Sequence, residues 1–417
     1  MRRSVAGPGP RLRLRPKKSW GFWSVALLIF WQDCWHIGQL SPARAAHIED
    51  GGSLMARFEC NRCHEGAGQP VVGRNKHCVR CHQEILDGRF DVDAVTLRRW
   101  QGNLRSLPAV PSLTGIGRRL RRDWLAKYLQ QPTDLRPALP AMMPSLALGD
   151  TQARRIATWL VPDEGPPIAL PASPAQLSLG RTLIEQKGCG SCHAFSGVPP
   201  LPATPPPISL QEAERRLGLL LAPDLRYSRE RLQSGSLVAW LRDPKSLKPD
   251  TAMPTIPLSE AEATAIASYL MQAPLSAVTP TPGPVRLPLL ARRVSFAEVN
   301  EQVLRRTCWH CHSTPEFAMG DGGPGNTGGF GFRPRGLNLA SYAEVLSGSL
   351  DDAGQRRSIF LPLPDGTPRL VAVLLARQRE LAGQPVPGLR GMPLGLPALS
   401  NEQIQLIESW IAQGRPQ

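Results

Sequence analysis

Eight of the nine cysteines fall into four pairs, Cys60/Cys63, Cys78/Cys81, Cys189/Cys192 and Cys308/Cys311, and each pair is followed at once by a histidine: His64, His82, His193 and His312. The chain holds only eight histidines in 417 residues, so four such placements are not chance. Two thiols three residues apart with an imidazole next to the second is the spacing of covalent haem c attachment. Each thiol adds across a haem vinyl group to form a thioether. The first Cys and the His, four residues apart on one turn, share a face, which brings the imidazole under the iron as proximal ligand. Exported cysteines also form disulfides, and C-x-x-C pairs also build zinc ribbons or thioredoxin-like redox sites. None of these requires a histidine after every pair. The expectation is four covalently bound haem c groups, with all eight paired cysteines as attachment points and the four histidines on iron.

The elements that must position these motifs repeat along the chain. Proline is abundant, at 43 residues, and two proline-rich stretches, 164–174 and 274–290, read as stiff extended linkers. They leave three segments: 46–163 with two motifs, and 175–273 and 291–417 with one each. In the middle segment a helical pattern, Leu179 to Lys187, runs into the motif; a loop at Pro223, a helix Ser236 to Arg242, a Met253-Pro254 step and a last helix, Ser259 to Met271, follow. The first segment repeats this series after its second motif. Pro111 to Pro132 and Pro223 to Pro244 both span 21 residues, and Met143 to Leu160 and Met253 to Leu270 both span 17. The third segment is a longer variant, with an approach helix Phe296 to Arg306, a glycine-rich loop Gly320 to Gly336, a Met392-Pro393 step and a last helix Ser400 to Ala412.

This order of elements resembles the class I cytochrome c fold, and the four motifs match the signature of multihaem c-type cytochromes. The resemblance implies a mainly α protein: three tandem cytochrome c-like helical domains, the first dihaem and the others monohaem, joined by Pro-rich linkers. It also implies that N- and C-terminal helices cross over each haem and that the Met-Pro loop supplies the distal ligand. Met253 and Met392 fill that place in their segments. In the first segment the Met-Pro step favours Met143, whereas the 60-residue separation from His82 to Met142, equal to that from His193 to Met253, favours Met142. Met143 is assigned to the second haem, whose spacing matches the middle segment. The first haem then takes His77, which stands directly before Cys78 as in tightly spaced multihaem cytochromes, or His47, or stays open. His310 lies inside its own attachment loop and is set aside.

Charge and the N-terminus bound the rest. The formal net charge is +15, but seven basic residues precede the apolar run Trp20 to Trp31, which leads to Ala43-Arg44-Ala45, the order of a secretory signal peptide. Residues 1–45 are therefore expected to be a cleaved signal that directs the chain to the periplasm, taking Cys34 and His36 with it. Cleavage removes eight Lys/Arg and one Asp and leaves +8. Membrane association follows only if this segment stays uncleaved. The densest remaining basic cluster, Arg118 to Arg122, has no nucleic-acid motif or stacking array and reads as a surface for an acidic partner. The resemblance implies an exported tetrahaem electron carrier with redox proteins as donor and acceptor and no nucleic-acid partner. The alternatives are a haem enzyme that reduces peroxide or an oxyanion at an open iron, and a membrane-docked subunit of a respiratory complex.

Overall fold

Small residues decide where the helices cross. Gly180 lies in the helix Pro174–Gln186 and faces the helix Glu260–Gln272; a Cβ there would stand 2.2 Å from the Ala265 carbonyl oxygen and 2.7 Å from the Tyr269 Cβ. Ala263, Ala265 and Ala267 are fully buried beside it, so the backbones approach closely and Ile184 and Ile266 fill the seam. Gly51 does the same where the helix Gly51–Arg57 crosses the helix Asp150–Leu160: its Cβ would meet the Arg155 carbonyl and the Trp159 side chain at 2.4 Å. In the third segment large residues make the crossing instead, with the Phe296 ring 5.8 Å from that of Trp410, tilted by 45°, on the helix Asn401–Ala412. The helix starts are written in the sequence. Ser173 caps a helix with Pro174 in its first turn, and Ser259/Glu262 and Ser400/Gln403 form capping boxes.

The computed structural model describes residues 49–104, 110–139, 142–277, 282–314 and 323–417. The expected signal peptide, His47 and the start of the glycine-rich loop lie outside the described residues. The architecture is mainly α. The described strands are Ser349–Leu350 and Arg356–Arg357, paired antiparallel. Three hydrophobic cores, centred on Ile156, Ile266 and Trp410, match the three segments, and residues 49–417 fold as one compact unit. Among the described residues no helix is long and apolar enough to cross a membrane. The approach to the fourth motif differs from the expected α-helix: after Phe296–Val299 the chain continues as a π-helix, Asn300–Cys308.

The first two segments meet across a pseudo-twofold seam. Leu120 and Leu232 form an antiparallel bridge; Arg121 N–H donates to the Arg231 carbonyl at 2.8 Å, and Gln233 N–H donates to the Arg119 carbonyl at 2.9 Å. Residues 119, 120 and 121 stand 112 positions before 231, 232 and 233, the offset that also separates Pro111 from Pro223. One hydrogen bond is thus made twice with roles exchanged, as in an isologous dimer interface, but within one chain. The Gln233 side chain adds bonds to the Gly117 and Leu120 carbonyls at 2.9 and 2.7 Å and accepts from Gly165 N–H at 3.1 Å. The stretch expected to be a stiff extended linker is strapped down on the second segment: Ile168 N–H bonds the Ser234 hydroxyl, and the Leu170 carbonyl accepts from Gln272. The second proline-rich stretch likewise ties back to the last helix, through Arg286 to Glu408 and Leu290 N–H to the Ser409 hydroxyl.

The third segment docks on the first. Phe330 N–H donates to the Glu59 carboxylate at 3.1 Å, Arg62 lies 5.3 Å over the Phe330 ring, and a Cβ at Gly331, whose φ is +73°, would stand 2.8 Å from the Phe58 ring.

Helix crossing at Gly180 leaves no room for a methyl group, so Gly180→Ala should cost roughly 1–3 kcal/mol in guanidinium unfolding. Gly102, in the helix Ala94–Asn103 with nothing within 4 Å of a built Cβ, should respond oppositely, with Gly102→Ala gaining up to about 1 kcal/mol. Equal responses at the two positions would contradict the crossing.

Candidate functional site

The first and third motifs are built alike. The residue before each first cysteine is left-handed, Glu59 at φ 49° and Gly188 at φ 72°, and the cysteines open 3₁₀ turns, Cys60–Arg62 and Cys189–Ser191. His64 N–H and His193 N–H donate to the Cys60 and Cys189 carbonyls, both at 2.9 Å. The two rings are held by carbonyls: His64 Nδ1 lies 2.9 Å from the Pro111 oxygen and His193 Nδ1 lies 2.8 Å from the Pro223 oxygen. A carbonyl only accepts, so Nδ1 carries the proton and Nε2 keeps its lone pair. Burial lowers both pKa values, against the smaller opposing effect of the carbonyls. Burial thus favours the neutral ring and the carbonyls orient it, the state in which histidine ligates a metal.

The second motif opens a helix, Cys78–Leu86, so Cys78 and His82 sit one turn apart on one face. Its N-cap is His77, whose Nδ1 accepts from Arg80 N–H at 3.2 Å. The Cys63 and Cys78 thiols are hydrogen-bonded to each other, and this bond together with burial pushes Cys63 well above the usual thiol range. In the fourth motif His312 N–H donates to the Cys308 carbonyl at 2.9 Å, and burial pushes the His312 ring down to about 4. Burial raises Cys60, Cys81 and Cys189 to about 11 and Cys308 to about 12. Neutral sulfurs in apolar surroundings suit thioether bonds, which carry no charge. Among the described residues no three Cys, His, Asp or Glu side chains gather as a metal-ion site, so the first two motifs do not form the four-thiolate cage of a zinc ribbon.

One cavity of about 480 Å³ runs through the seam between the first two segments and is lined by Cys60, Cys63 and His64 at one end and Cys189, Cys192 and His193 at the other. Met142, Met143 and Met253 also line it. Met143 packs against the core that holds Cys60, and Met142 packs with Val79, Cys63 and Cys78. Met143, expected with the second motif, is placed by the fold in the cavity of the first. The reason is an insertion. His64 reaches its carbonyl partner after 47 residues and His193 after 30, because the second motif and its helices are inserted between the proximal histidine and Pro111. His77, expected on the first haem, does not line the cavity; it is 4% exposed, with Nε2 3.7 Å from the Glu65 carboxylate. The Met253 sulfur accepts from Trp240 Nε1 at 2.9 Å, and Met392 packs against the third core, as Cys308 and Trp309 do.

The cavity wall is positively charged where the two halves meet. Arg231 and Arg119 are half-buried; burial, with Arg119 and Arg136 nearby, lowers Arg231 to about 10, and burial also lowers Arg119. The Nε atoms of both are buried without a hydrogen-bond partner. Guanidinium groups partly withdrawn from water, with donors left unpaired, suit a ligand that brings anionic oxygens between apolar surfaces. A haem, with an apolar macrocycle and two carboxylates, has that make-up. The sequence reading missed Arg119, Arg231 and Gln233, although their 112-residue offset was available in the proline register. It also missed where His310 lies: its ring centroid is 6.0 Å from that of His82, with the ring planes tilted by 52°.

A protein-family model described as Cytochrome c matches residues 177–274, the span from the helix before the third motif to the end of the helix that crosses it. No curated protein and no solved structure matches. The chain therefore carries a cytochrome c domain in its middle segment, with covalently bound haem c, and is a haem-binding electron-transfer protein.

Proposed function

We propose that the chain is an exported tetrahaem c-type cytochrome that relays single electrons between redox proteins. The observation that carries this reading is the contiguity of the four attachment sites. His310 of the fourth motif meets His82 of the second, Cys78 of the second bonds Cys63 of the first, and the first and third open into one cavity. The sites thus form a continuous row in the order fourth, second, first, third, which sequence order does not suggest. When bound, each haem supplies one-electron iron chemistry whose potential is set by its axial ligands and surroundings.

The residues do the remainder. Cys60/Cys63, Cys78/Cys81, Cys189/Cys192 and Cys308/Cys311 hold the four groups, and His64, His82, His193 and His312 present neutral imidazoles. Met143, Met253 and Met392 would serve as the second ligands of the groups held at His64, His193 and His312, which would exclude water and small substrates and favour carriage of electrons over catalysis. Arg119 and Arg231 offset the carboxylates in the cavity. The signal-like N-terminus supports a periplasmic location.

Reductive titration of the purified protein should consume four electrons per chain, and the oxidised protein should be entirely low-spin by low-temperature EPR. A high-spin ferric signal in the intact protein would mark an open iron and contradict the carrier reading. Met253→Ala should abolish one sulfur-to-iron absorption contribution at the red end of the ferric spectrum; an unchanged band would remove Met253 from the ligand set. Arg231→Gln takes a half-buried positive charge from the cavity, which favours the ferric state, so spectroelectrochemistry should find a lower midpoint potential for at least one haem. Potentials that stay the same or rise would show that Arg231 does not face a haem.

A further inference from the structure

Building on the tetrahaem reading, we propose that His310 is the distal ligand of the haem attached at Cys78 and Cys81, opposite His82, so that an imidazole from the third segment closes an iron held by the first. A metal–imidazole nitrogen bond is about 2 Å and the nitrogen lies about 1 Å from its ring centre, so two imidazoles on opposite sides of one metal have centroids about 6 Å apart. The His82 and His310 centroids are 6.0 Å apart.

Met143 lines the cavity that holds His64. Met142 lies between that cavity and the second motif, packed with Val79, Cys63 and Cys78. His77 caps the helix that carries His82 with its Nδ1 and turns its Nε2 to Glu65. The imidazole that stands by His82 at the separation of two ligands of one metal is His310. His82 itself is 8% exposed on that helix. His310 lies in the loop between Cys308 and Cys311, so the anchoring of the fourth site also fixes its position. Docking of the two segments is independent of the imidazoles: the Glu59 to Phe330 bond, the Gly331 contact on Phe58 and the Arg62 to Phe330 stack hold them together. His310 would donate a nitrogen lone pair to iron, a dative bond with no change in electron count. Two imidazoles lower the potential relative to a His/Met pair, and the ligation would make the interface between the segments part of the iron's coordination.

The test uses the full-length holoprotein. Wild type should give four haems per chain by pyridine haemochrome assay and, by EPR with near-infrared magnetic circular dichroism, one bis-imidazole and three His/Met signatures. His310→Ala should keep four haems, lose the bis-imidazole signature, gain one high-spin ferric signal, and return to low spin on addition of free imidazole. His310→Met should replace the bis-imidazole signature with a fourth His/Met one and raise that haem's potential. A bis-imidazole signature that survives in His310→Ala, or its absence from a wild type with four haems, would overturn the assignment. A wild-type count below four would overturn the tetrahaem reading itself, and this proposal with it.

Discussion

The reciprocal backbone bonds at Leu120 and Leu232 set the geometry on which the rest of the structure depends. They fix the first segment against the second with the same hydrogen bond made in both directions, and the Gln233 side chain locks the seam by reaching two more carbonyls and the strap at Gly165. The consequence is chemical as well as architectural. Because equivalent residues face each other, the two proximal histidines open into a common cavity, and the two equivalent arginines, Arg119 and Arg231, arrive side by side in its wall. A seam of this kind places two cofactor sites at a set separation without a rigid linker.

The same symmetry creates an electrostatic demand. Loss of hydration displaces both guanidinium groups towards the neutral form, and Arg119 adds its repulsion at Arg231. The Asp250 carboxylate offsets Arg119 in part, whereas neither arginine has the direct ion pair that Arg136 makes with Asp134 among the described residues. Folding and loading are then coupled: a ligand with carboxylates stabilises the interface, and the interface keeps those carboxylates from water. The neutral, carbonyl-held imidazoles of His64 and His193 answer the opposite need, a lone pair without charge, so one cavity serves both ends of an amphipathic cofactor.

Much of this was legible in the residues. The four motifs, the crossing helices and the repeat register could be read because each rests on local rules: spacing on one turn, caps at Ser259 and Ser400, and small residues such as Gly180 at a crossing. What could not be read depends on contacts distant in the chain. The spacing from His82 relates the Met-Pro step to the second motif, whereas the fold places Met143 beside the first, because the second motif is an insertion that lengthens the path from His64 to Pro111. Adjacency to Cys78 marks His77 as a ligand candidate, and the structure adds that its Nδ1 caps the helix that follows. The proline-rich stretches looked like spacers because their backbones are stiff, but stiffness does not tell whether a strand of chain lies in solvent or is bonded along its length, as residues 164–174 are. His310 was discounted for lying within its own attachment loop, and only the docking of the third segment on the first brings it to His82.

The central claim is that four covalent haem c groups sit on one chain. Intact-mass spectrometry of the purified protein under denaturing conditions, which removes any group held only by ligation, tests it most directly. The account predicts a single species heavier than the polypeptide by four haems, stepping down by one haem for each motif whose two cysteines are replaced by alanine. A mass corresponding to fewer haems, or one lowered by pairs of hydrogens as disulfides would lower it, would contradict the account.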